Sequence, residues 1–218
     1  MPARKFALSP REQPRIELTW KGIWKNIRVL FDGEELGVIE NMSALKEGRE
    51  FVMPRGLGTL RVQLVQSFGS AELQVLRNGQ PLPGSGSDPA VQLKGAWGIL
   101  FFVAGLNFLL GLGAVLFEIE IFEQLGLGIG SIVAGVLYLA LGLLVKEKRS
   151  RVALGVAIGL FALDGIVTVV SAMGASSTPP VSGIVMRVFL LLPMIKGFAA
   201  IRQLEASERG AGAAASFE

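Results

Sequence analysis

Four stretches of this chain are long and apolar enough to cross the hydrocarbon of a bilayer, and they constrain its fold more than any other feature. Crossing roughly 30 Å takes about 20 residues of helix, because in lipid each backbone N–H and C=O must find its partner within the segment. Residues Ala96 to Phe117 and Leu125 to Val145 carry no charge, and Val152 to Met173 carries only Asp164. The fourth stretch, Gly183 to Leu204, holds Arg187, Lys196 and Arg202 and is interrupted by Pro193; a surface-lying amphipathic helix is its alternative reading. The expected membrane domain is a bundle of four transmembrane helices over residues 91–204.

Ahead of it the periodicity changes. Ile16, Leu18 and Trp20 alternate with Glu17 and Thr19, and the same alternation recurs at Ile27-Val29-Phe31, Leu60-Val62-Leu64 and Ala71-Leu73-Val75. A period of two is the mark of half-buried antiparallel strands. Asp32-Gly33 and Asn78-Gly79 follow such runs, and both dipeptides tolerate positive φ at the two centres of a hairpin turn. With short strands near Leu36–Ile39 and Phe51–Met53, residues 15–82 predict six or seven strands in a small β-sandwich-like domain. Residues 1–14 are polar, lack the apolar core of a secretory signal and are expected to be flexible. Residues 83–90 are a linker by composition, in which Asp88 is placed to cap a helix beginning at Pro89. The polar, small-residue tail 205–218 is expected to be disordered.

Orientation follows from charge. The 146–151 connection carries Lys146, Lys148, Arg149 and Arg151, whereas the 118–124 connection carries Glu118, Glu120 and Glu123 and no basic residue. Basic loops stay on the cytoplasmic side, which puts the β domain and both termini in the cytoplasm of a bacterial inner or internal membrane.

The chain has no His and no Cys. That excludes Ser-His-Asp and Cys-His nucleophilic centres, thiolate or imidazole metal sites and Cys-ligated clusters. No metal or cofactor is expected, and no enzyme. The net charge of +3 is spread over both halves, unlike the concentrated basic face of a nucleic-acid binder. Pro54 to Thr59 (PRGLGT) lacks the lysine of a phosphate loop and reads as a turn; Trp20 and Trp24 share a strand face and read as core packing.

Polar residues inside the apolar spans are the candidate site. At about 1.5 Å of rise per residue, Asn107 lies about 16 Å, Asp164 about 18 Å and Arg187 about 24 Å from the cytoplasmic surface, with Tyr138 and Lys196 near 10 Å. Asp164 and Arg187 are therefore expected to pair near the midplane, with Thr168 and Ser171 extending a polar stripe and Tyr138 and Lys196 forming a second layer. Gly126, Gly130, Gly155 and Gly159, spaced by four, are expected to let helices pack closely. These features predict a non-catalytic accessory, scaffold or docking subunit, whose β domain binds a partner protein at the bilayer surface. The alternative is a small transporter or channel using Asp164, Arg187 and Lys196.

Overall fold

The computed structural model describes residues 1–67, 70–117, 128–174 and 181–215. It separates into two compact units, Met1–Val91 and Gln92–Glu218.

In the first unit, eight strands form two four-stranded antiparallel sheets. One contains β1 (Ala3–Phe6), β2 (Ile16–Lys21), β3 (Lys25–Phe31) and β4 (Glu34–Ile39), in that order. The other contains β5 (Arg49–Val52), β6 (Thr59–Ser67), β7 (Ser70–Arg77) and β8 (Gln80–Pro81). Ile16, Leu18, Ile27, Val29 and Phe31 of the first sheet share one buried core with Leu60, Val62, Leu64, Leu73 and Val75 of the second. Burying each such side chain fully is worth about 1.5–3 kcal/mol before chain entropy is counted, so the alternating pattern fixes which face turns inward. The sheets meet closely where the Phe51 ring lies over Gly37, since a Cβ there would stand 2.8 Å from the ring.

Both dipeptide turns adopt the left-handed backbone that their sequences allow: Asp32 and Gly33 have φ of 51° and 89°, and Asn78 and Gly79 have 49° and 81°. The first turn is also held by charge. Arg15 Nε donates to Asp32 Oδ1 at 2.9 Å, and its guanidinium sits 4.7 Å from the centre of the Phe31 ring. That hydrogen bond holds the Asp32 carboxyl below the usual carboxylate range. Its stabilisation is present above the ordinary carboxylate pKa and is lost as pH falls through the lowered one. In tryptophan-monitored thermal unfolding, Asp32→Asn is therefore expected to melt below the parent at neutral pH, with the gap closing in acid. A gap that persists in strong acid would contradict this origin.

Three segments of this unit depart from expectation. Residues 1–14 are not uniformly flexible, because β1 pairs with β2 and buries Phe6. A four-residue strand with one buried side chain leaves no periodic trace. Between β4 and β5 lies a short helix, α1 (Met42–Glu47), capped by Asn41 Oδ1 accepting from Ala44 N–H at 3.0 Å. The expected linker is folded: Gly86 N–H donates to the Leu73 carbonyl at 3.0 Å, and Ser85 is buried.

Four helices follow among the described residues: α2 (Pro89–Phe117), α3 (Ile129–Lys148), α4 (Arg151–Gly174) and α5 (Val181–Ala215). Each contains a segment long and apolar enough to cross a membrane, as a multi-pass membrane protein requires. Asp88 accepts from Ala90 N–H at 2.8 Å, at the α2 start expected from its Asp-Pro pair. The fourth helix continues past Leu204 to Ala215 instead of ending in a disordered tail. Its alanines favour helix, and Arg151 of α4 pairs with Glu205 beyond the expected end.

Candidate functional site

Helix packing fixes the level of each polar group. On α3, Gly135 abuts α2 so closely that a Cβ would lie 2.8 Å from the Phe108 amide nitrogen and 2.9 Å from the Ala104 carbonyl. Gly142, two turns on, meets Phe101, and Lys146 then sits 5.6 Å from the Trp97 ring. The helices thus run antiparallel, with the contacts of α3 climbing as those of α2 descend. Gly197 of α5 receives Ala96 in the same manner.

These are not the glycines spaced by four. A side chain at Gly130 or Gly159 would meet nothing within 4 Å, Gly155 meets only the Phe198 ring at 3.8 Å, and Gly126 lies outside the described residues. On α3 the close contacts fall at a spacing of seven, Gly135 and Gly142, because two turns of helix return a residue to nearly the same face. A search at spacing seven would have found them.

Asp164 and Arg187 are brought together. Arg187 Nη2 donates to Asp164 Oδ2 at 2.7 Å, joining α4 to α5. Gly165 lies beside the arginine stem, where a Cβ would make ordinary contact, 3.4 Å from Arg187 Cδ. The other polar side chains turn inward on their own helices: Asn107 Nδ2 donates to the Val103 carbonyl and Thr168 Oγ1 to the Asp164 carbonyl, both at 2.9 Å. The side chain of Ser171 lies outside the described residues.

Asp164 is nevertheless not enclosed by its pair. Its side chain is 62% exposed and faces a cavity of about 320 Å³ that Asn107, Tyr138, Phe161 and Leu163 also line. Tyr138 is buried and meets Phe161 edge-on, with centroids 6.3 Å apart. Tyr138 therefore belongs with Asn107 and Asp164, not in a separate layer with Lys196. Lys196 adjoins Gly197, which packs beside Leu154, whereas Tyr138 packs beside Phe161. Seven residues of α4 separate those levels, about 10 Å at 1.5 Å per residue. Counting inward from assumed helix ends misplaced the tyrosine, since actual depth is set by the helix-helix contacts. Phe161 and Gly165 are the site residues that counting missed, because neither is polar.

Arg187 also lines a second cavity of about 340 Å³ between α4 and α5, walled by Ile166, Val169, Val170, Ile184 and Leu191. Among the described residues, no three Asp or Glu side chains gather as a metal site would require. The arrangement joins two helices by an ion pair and offers a carboxylate, a phenol and an amide to one apolar-walled opening. Fold and site together define a multi-pass helical membrane protein with a strand-rich N-terminal domain. No family model, curated protein or solved structure matches the chain.

Proposed function

We propose that the chain is a non-catalytic accessory or docking subunit of a bacterial inner or internal membrane, with its β domain and both termini in the cytoplasm. Its partners are the lipid bilayer and another protein, which the β domain engages at the membrane surface; nucleic acid is not a partner. The basic α3–α4 connection supports the orientation. The observation that carries the accessory role, for a partner that also spans the membrane, is Asp164, paired with Arg187 yet 62% exposed within a span. An unpaired carboxylate at the centre of a span costs about 2.5–3.5 kcal/mol, and a donor on a neighbouring protein helix would complete the shielding that Arg187 begins.

The second reading, a small transporter or channel, is favoured by the cavity that Asn107, Tyr138 and Asp164 share. Against it, Lys196 does not line that cavity, and proton paths string several carboxylates together, whereas the apolar stretches 96–117, 125–145, 152–173 and 183–204 hold Asp164 alone. A photo-crosslinking residue at Leu163, on the cavity wall, separates the two readings. The docking role predicts a discrete adduct with one other protein in cells and no ion flux in liposomes of the purified chain. Flux that Asp164→Asn abolishes, without an adduct, would establish the transporter instead.

A further inference from the structure

The β2–β3 hairpin ends in Trp20-Lys21-Gly22-Ile23-Trp24-Lys25. Lys21 pairs with Lys25 across the ladder, leaving three residues to turn the chain, and Gly22 and Trp24 do so with φ of 54° and 56°. That backbone brings the two indoles into a stack, with centroids 4.6 Å apart and planes 22° from parallel. Both tryptophans also pack against the core of the domain, so the tip is braced from below.

Above this brace the tip is apolar and basic. Ile23 is 75% exposed, and both lysines are exposed. The start of β1 lies alongside, where the Pro2 carbonyl accepts from Trp20 N–H at 3.2 Å, and the neighbouring Met1 is 78% exposed. Among the described residues of this unit, only Val52 is a large apolar residue more exposed than these two. Glu40 stands at the margin, its carbonyl accepting from Asn26, while Glu17 further down β2 is engaged by Lys5 at 3.3 Å.

We propose that this tip is a membrane anchor for an anionic lipid surface. Ile23 and Met1 enter the acyl boundary, the stacked indoles lie at headgroup level, and Lys21 and Lys25 meet anionic headgroups. Tryptophan favours that boundary because its ring is apolar and its N–H polar, and lysine extends its ammonium into the headgroups while its stem stays greasy. Lysine is depleted at the centres of protein interfaces, which argues for lipid over a protein partner. The domain is covalently joined to helices of membrane-crossing length, so a lipid surface is always within its tethered reach.

The absence of cysteine allows a direct test on the full chain. Ile23→Cys carries an environment-sensitive fluorophore in protein reconstituted into phosphatidylcholine vesicles with and without phosphatidylglycerol. Glu47→Cys, on an exposed position of α1, is the reference. The anchor predicts a blue-shifted Ile23 label, quenched by brominated acyl chains when phosphatidylglycerol is present, and a reference label as in water. Lys21→Glu with Lys25→Glu should lower the docked-to-undocked ratio by at least about fivefold. An Ile23 label as hydrated as the reference would overturn the proposal. So would shielding indifferent to both phosphatidylglycerol and lysine reversal, which would mark a protein contact.

Discussion

Arg187→Gln is expected to be among the most damaging single substitutions in the helical unit. It removes the partner of Asp164 and leaves a carboxylate inside a span, at a cost of about 2.5–3.5 kcal/mol. Asp164→Asn leaves the guanidinium without its carboxylate and is expected to lower stability as well. The double substitution Asp164→Asn with Arg187→Gln abolishes both charges, so its loss should fall short of the two single losses combined. The difference is the coupling of the pair, and neighbouring charged groups commonly give about 0.5–3 kcal/mol. Thermal unfolding in mild detergent, followed for all four proteins, reads that coupling. Simple additivity would mean that the 2.7 Å contact fixes nothing in the bundle.

The second large effect lies at Gly135. A methyl group there would meet the Phe108 nitrogen at 2.8 Å and the Ala104 carbonyl at 2.9 Å, and backbone atoms inside a helix do not yield as a flexible side chain does. Gly135→Val must push α2 from α3, and overpacking of this kind costs about 1–3 kcal/mol. Gly130→Val and Gly159→Val face open space and are expected to leave the melting temperature close to that of the parent. Equal losses at all three positions would show that the valine acts through backbone preference and not through helix separation.

The contrast between these glycines shows what the sequence holds and what it hides. Alternation at Ile16-Leu18 and Leu60-Val62-Leu64 was readable because one residue in two contacts the core, and Asp32-Gly33 and Asn78-Gly79 because few residues accept positive φ. The spans were readable from apolar length alone. β1 was not, since it buries only Phe6, and neither was α1, a helix of six residues held by the Asn41 cap. The 83–90 segment looks like a tether because Gly, Ser and Pro make tight turns as readily as loose chain; its hydrogen bond to Leu73 is invisible until β7 is placed.

At the candidate site, chemistry was legible and depth was not. Few charges occur inside the apolar spans, so the sequence alone pairs Asp164 with Arg187, and the hydrogen bond between α4 and α5 joins them. Counting from a lipid boundary separates Tyr138 from them, whereas its ring packs on Phe161, one turn of α4 before Asp164. Helix register comes from contacts such as Gly135 on Phe108 and Gly197 on Ala96, and no single segment carries that information.

Four membrane crossings with both chain ends on one side underlie the whole account. Because the parent lacks cysteine, single cysteines at Ser43, Lys148 and Ser207 can be labelled with a membrane-impermeant maleimide in right-side-out and inverted vesicles. All three are expected to react only in inverted vesicles, where the cytoplasmic face is outermost. Reaction of Ser43→Cys and Ser207→Cys in vesicles of opposite orientation would contradict the account.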